Sequence, residues 1–197
     1  LHTWLIPLME SLKARYPTIE FELNVEMTHV LNEQIRRGGL DLVFSAAPAE
    51  GPGIVNERLA PMEMVFVGPG SMSGMGELSL DSVLAHELLT FQRGSQPHIA
   101  LLDTLRDVGG TDKRVHTISS ISALVKLVES GFGLATLPKA AADSLCKGHD
   151  IALLESELIL TPLPLYANYW SKLSTPAVER AISSALAFTR EITSPAQ

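Results

Sequence analysis

The 197-residue chain is 46% hydrophobic and 19% charged, with a formal net charge of −7. That is an ordinary globular composition, long enough for one large domain or two small α/β lobes, and its acidity weighs against a surface that grips a nucleic-acid backbone. No apolar run approaches the roughly 20 residues needed to span a bilayer. The opening LHTWLIPLMESL lacks the basic start of a signal peptide. The lone Cys146 excludes an internal disulfide, so a cytoplasmic setting without membrane association is the expectation.

The spacing of Leu5, Leu8 and Leu12 predicts a first helix over Trp4–Ala14, with Pro7 tolerated in its first turns. Strict alternation over Ile19–Val25 predicts a strand. Val30, Leu31, Gln34 and Ile35 then recur at helical spacing, Gly38 and Gly39 provide a left-handed exit, and Leu40–Phe44 reads as a buried strand. Strands Ile54–Leu59 and Met64–Val67 flank Pro61, and Met62–Gly70 is the expected first crossing between lobes.

The glycine-rich stretch Gly68–Gly76 lacks the Lys-Ser/Thr ending of a phosphate loop and reads as a connector. After it come a helix at Leu80–Ala85, a strand at Leu88–Phe91, a helix at Ile99–Val108 and a strand at Val115–Ile118. Residues Ile121–Pro138 then repeat the earlier unit. Leu124, Leu127 and Val128 form an apolar stripe, Gly131 and Gly133 end it, and Leu134–Leu137 is the strand. A helix over Ala140–Cys146, a strand over Leu163–Tyr169 and a closing helix Pro176–Ile192 capped by Thr175 complete the order. Two copies of one helix–glycine–strand unit imply two similar lobes, and such sheets bind small molecules at their strand ends. The first lobe opens on a helix where a strand is usual. It therefore has either a gap in its sheet or a replacement strand.

Signatures of enzyme chemistry are missing from the string. The six histidines show no HxxxH or HExxH spacing, no G-x-S-x-G elbow is present, and no dinucleotide fingerprint follows a strand. Asp41 reads as a backbone-capping carboxylate. No metal, no cofactor and no enzymatic activity are expected. Arg36 and Arg37 form the densest basic stretch, read as a solvated helix end.

Small hydroxyls do recur at the helix starts. Thr28 stands at the first repeat, and Ser119, Ser120 and Ser122 at the second. Helix starts offer free N–H groups and partial positive charge, so they suit an anion such as a carboxylate; the alternative is that they are plain N-caps. Gln92-Arg93-Gly94-Ser95, just after a strand, adds backbone N–H groups and a guanidinium able to pair with a carboxylate. The alternative for Arg93 is a solvated loop residue.

The stretches Leu5–Pro17, Ile35–Ser45, Leu88–Ser95, Ile118–Pro138 and Ser174–Ile182, in this order and spacing, give the chain a resemblance to a known family. It resembles the effector-binding domain of LysR-type transcriptional regulators over essentially its whole length. The resemblance implies an α/β fold of two Rossmann-like lobes joined by two crossovers, like type 2 periplasmic binding proteins. Lobe I would be residues 1–66 plus 168–197, without its first strand, and lobe II residues 67–167. It also implies a small-molecule effector between the lobes, contacted by His2, Thr3, Thr28, Ser45, Ala46, Arg93, Gly94, Ser95, Ser119 and Ser120. Relatives pair side by side, so a homodimer or tetramer is implied, with Glu33–Arg37 and Ile121–Glu129 as contributors. DNA would be contacted only through an N-terminal winged helix-turn-helix domain absent here, and the opening Leu1 fits a piece of a longer chain. The competing readings are an exported solute-binding protein of the same fold and a small-molecule enzyme on that scaffold.

Overall fold

The computed structural model describes residues 5–172 and 175–193, with side chains to residue 190. The chain forms two compact units, Leu1–Met62 with Pro164–Gln197, and Glu63–Leu163. The first boundary, Met62/Glu63, lies within the stretch Met62–Gly70, and the second is Leu163/Pro164.

The first unit contains helices α1 (Leu5–Arg15) and α2 (Thr28–Arg36) and strands β1 (Leu42–Ser45) and β2 (Ile54–Met62). The returning chain adds most of strand β8 (Leu163–Trp170) and helix α7 (Pro176–Thr193). Thr175 caps α7, its hydroxyl accepting the Val178 N–H at 3.3 Å. The strands form a sheet in the order β1-β8-β2, with β1 antiparallel to β8 and Val43 opposite Asn168. Side-chain alternation divides the two faces. Leu165 and Ala167, joined by Leu59, pack with Leu8, Leu12, Ala181, Ile182 and Ala185 of α1 and α7. Val43, on the other face, packs with Ile35 of α2 and Ala49, and Trp170 Nε1 donates to the Ile35 carbonyl at 2.7 Å.

The alternating segment Ile19–Val25 is not a strand. Its pattern suits one, but a strand exists only when its backbone has a ladder partner, and residues 20–26 make no backbone hydrogen bond to another described residue. Phe21, Leu23 and Val25 are therefore 40%, 53% and 60% exposed rather than buried on one face. Among the described residues, this lobe's sheet has the three strands named and no replacement for a first one.

The second unit holds β3 (Met64–Pro69), α3 (Leu80–Ala85), β4 (Leu88–Phe91), α4 (Gln96–Asp107), β5 (Val115–Ile118), α5 (Ile121–Glu129), β6 (Leu134–Pro138), α6 (Lys139–Leu145) and β7 (Ile151–Leu154). Helix α4 starts three residues before the expected Ile99, because Pro97 is accommodated in the first turn where its missing N–H costs nothing. Strand β7 was not foreseen. Its four residues are too few to show a period. The sheet order is β5-β4-β6-β3-β7, with β4 parallel to both β5 and β6, while β3 runs antiparallel to β6 and β7. Leu124, Val125 and Val128 of α5 bury completely against Val67, Leu89, Ala135 and Leu137. Each such side chain contributes about 1.5–3 kcal/mol by leaving water.

The two copies of the repeated unit stop in the same way. In the first, the N–H groups of Gly38 and Gly39 donate to the carbonyls of Ile35 and Gln34. In the second, those of Gly131 and Phe132 donate to Val128 and Leu127. This is the paired 5→2 and 6→1 closure of a Schellman ending, with Gly38 at φ +73° and Gly131 at φ +76°. Gly133 has a different job. A Cβ there would overlap the Glu87 carbonyl, which accepts the Leu134 N–H at 2.9 Å where β6 begins.

Candidate functional site

In the second unit the topology changes direction at β4. From it the chain moves to β5 on one side and then to β6 on the other, which makes the carboxyl ends of these parallel strands the natural place for a ligand. Phe91 lies opposite Ile118, so β4 and β5 end in register and release Gln92–Ser95 and Ser119–Ser120 from adjacent positions on one sheet edge. Arg93 is exposed and makes no hydrogen bond or ion pair with another described residue. Ser95 occupies the N-cap position of α4, yet its Oγ makes no capping bond and is buried without a partner. The cap hydroxyl of this twelve-residue helix therefore satisfies none of its free N–H groups. Ser120 is the N-cap of α5, its Oγ accepting the Ala123 N–H at 3.4 Å and sharing a 2.8 Å hydrogen bond with Ser122. Ser119 is exposed.

Gly94 has φ +81°, and its N–H donates to Nδ1 of His98 at 3.2 Å. Sequence reasoning passed over His98. It is 8% exposed, and burial, followed by the positive charge of Arg93, holds its pKa below the ordinary value. A histidine one helical turn after a glycine whose amide needs an acceptor is the only signal the string carries.

In the first unit Thr28 opens α2 as its first helical residue, and Met27 holds the cap position without a side-chain bond. The Thr28 hydroxyl bonds to no other described residue. The helix starts of the two repeats are thus chemically unlike: one has a serine cap and the other has none. Four residues on, Asn32 Nδ2 donates to the carbonyls of Pro48 at 3.0 Å and Ala47 at 3.4 Å, past the end of β1. Ser45 is 5% exposed and committed internally. Its Oγ accepts from Asn168 Nδ2 at 2.7 Å and lies 2.7 Å from the Ala47 carbonyl and 3.1 Å from Asn32 Oδ1, to either of which it can donate. Asn168 is fully buried and its Oδ1 has no partner. Sequence reasoning missed this asparagine, although an amide inside the apolar strand Leu163–Trp170 was the available signal. Ala46 is half-buried in the bend that follows Ser45. His2 and Thr3 lie outside the described residues.

The basic pair is not a free patch. Arg36 holds Glu33 with bonds of 2.7 and 2.8 Å and Arg37 adds a third of 2.6 Å, so the Glu33 carboxyl is lowered to about 2. Asp41 is exposed and caps nothing among the described residues. No cluster of His, Cys, Asp and Glu with a metal-holding arrangement occurs among the described residues, and none of their helices is long and apolar enough to cross a membrane.

Residues 1–189 match the LysR substrate binding domain family. The chain belongs to that family. It is 30% identical over 133 residues to the probable hydrogen peroxide-inducible genes activator of Streptomyces viridosporus, covering 64% of this chain and 42% of the other. The regulatory domain of CcmR from Synechocystis PCC6803, solved in complex with 2-PG, has a TM-score of 0.80 and 16% identity, covering 96% of this chain and 93% of that one. The effector binding domain of QuiR, in complex with shikimate, has a TM-score of 0.75 and 14% identity, covering 95% and 90%. These likenesses give the fold, the type 2 periplasmic-binding-protein-like arrangement of LysR regulatory domains. The chain is thus a LysR-type effector-binding domain, and it spans about half the length of the curated relatives it matches.

Proposed function

We propose that this domain senses a small anionic metabolite held in the cleft between its two units, and that occupancy modulates transcription by a longer regulator. The observation that carries the reading is the in-register end of β4 and β5. It gathers an unpaired guanidinium at Arg93, an unpartnered buried hydroxyl at Ser95 and the exposed Ser119 on one sheet edge. A guanidinium and helix-start donors favour a carboxylate or phosphate over a neutral ligand. Solved relatives with 2-PG and with shikimate support that class. Thr28, Ser45 and Ala46, with His2 and Thr3, form the first unit's share of the site. Ser45 acts by shaping the end of β1 through Asn168 and Ala47.

In this reading the protein performs no catalysis and works in the cytoplasm as a homodimer or tetramer. It reaches DNA through an N-terminal winged helix-turn-helix domain outside this sequence. Effector binding shifts the population of unit arrangements and so the geometry of the attached DNA-binding domains. Titration calorimetry of the chain against shikimate and a panel of small carboxylates and phosphates tests the site. A binder whose affinity falls at least tenfold in Arg93→Ala and Thr28→Ala supports it. A binder indifferent to both substitutions refutes it.

A further inference from the structure

Two acceptors hold the Gln92–Ser95 loop. Ser95 N–H donates to the Gln92 carbonyl at 2.9 Å, closing the turn, and Gly94 takes φ +81°, which glycine adopts without strain. That conformation aims the Gly94 N–H back at the first turn of α4, where Nδ1 of His98 receives it at 3.2 Å. An N–H can donate to Nδ1 only when that nitrogen carries no proton, so the ring must be the neutral tautomer protonated on Nε2. Protonation at Nδ1 would set two donors against each other.

We infer that His98 is the positioning residue of this loop: its neutral imidazole fixes Gly94, and through Gly94 the directions of Arg93 and Ser95 on either side. The ring sits where that role can be kept at neutral pH, nine-tenths buried and one turn from the loop it holds. Burial, and after it the charge of Arg93 on the loop itself, disfavours the imidazolium. The neutral ring also occupies the Gly94 amide, so that amide is not among the donors the loop offers an anion. The loop's role in effector binding rests on the proposed function, whereas the coupling of His98 to Gly94 does not.

Nuclear magnetic resonance on the unliganded chain tests that coupling directly. Long-range proton–nitrogen spectra should show His98 as the Nε2–H tautomer at pH 7.5. The Gly94 amide shift should titrate with the His98 ring, at one shared midpoint below 6.5. In His98→Leu the Gly94 amide should lose its pH dependence and exchange with water about fivefold faster, while His98→Asn, which keeps an acceptor one turn away, should restore slow exchange. An Nδ1–H tautomer, a Gly94 midpoint different from that of His98, or unchanged Gly94 exchange in His98→Leu would overturn the inference. Adding shikimate to the wild type and His98→Leu separates the two claims. Intact coupling together with a panel binder indifferent to Arg93→Ala and Thr28→Ala refutes only the effector reading.

Discussion

Ser45→Ala decides whether the end of β1 is held by its own side chains or kept free for a ligand. The substitution removes the acceptor of a 2.7 Å bond from Asn168 and a hydroxyl 2.7 Å from the Ala47 carbonyl. Asn168 is 0% exposed, so its Nδ2 would retain only a 3.4 Å contact to Ala47, beside an Oδ1 that already lacks a partner. Stranding a buried donor costs about 1–3 kcal/mol, so a loss of about 2 kcal/mol is expected, or roughly 10 °C in melting temperature for a unit of this size. Asn168→Ala should also destabilise, and the double variant should cost about 1 kcal/mol less than the sum, because each single change breaks the same bond. Both tryptophans, Trp4 and Trp170, lie outside Glu63–Leu163 in the sequence, so urea unfolding followed by tryptophan fluorescence reports on the first unit. A Ser45→Ala loss below about 0.5 kcal/mol with additive behaviour would show that the network carries no energy, and Ser45 would return to the list of free ligand groups.

Three further outcomes follow from the geometry. Gly133→Ala should cost about 1–3 kcal/mol in thermal melts followed by circular dichroism, because the new Cβ meets the Glu87 carbonyl; Gly131→Ala, in open space, should cost only its φ +76° strain. An equal or larger loss at Gly131 would reverse that assignment. Glu33 is lowered to about 2 from an ordinary 4.5, so its contribution to stability is complete above the unfolded value and lost as pH falls toward 2. Carboxyl titration by NMR at low salt should show this, with the midpoint rising at 1 M salt as exposed charges are screened; a midpoint near 4.5 at low salt would contradict it. The double variant Leu23→Lys/Val25→Lys should change stability in urea unfolding by less than about 0.5 kcal/mol, since both side chains are exposed. A large stability loss would mean that Ile19–Val25 is a buried strand after all.

The candidate site was legible in its parts and illegible in its connections. Arg93, Gly94 and Ser95 follow a strand and precede a helix, so their place at a sheet edge could be read directly. That Ser119 leaves the neighbouring strand depended on β4 and β5 pairing in register. The matching hydroxyls of the two repeats suggested equivalent grips, yet the helix that reads as starting after Thr28 begins on it, and Met27 takes the cap. One residue of displacement changed the role, because a cap is defined by backbone geometry and not by residue type.

What the sequence determined by itself is whatever contiguous residues decide among themselves. The amphipathic stripe of α5, the Thr175 cap and the two glycine endings at Gly38 and Gly131 all depend on neighbours within about one or two helical turns. The tertiary structure decided what needs a distant partner. Ile19–Val25 alternates perfectly and still is not a strand, since residues 20–26 make no backbone hydrogen bond to another described residue. Ser45 reads as a free hydroxyl until Asn168, 123 residues later, is laid against it, and Thr136 finds Thr90 across 46. Periodicity records which face an element wants to bury. Only the closed sheet brings the groups that satisfy, or leave unsatisfied, the polar atoms on that face.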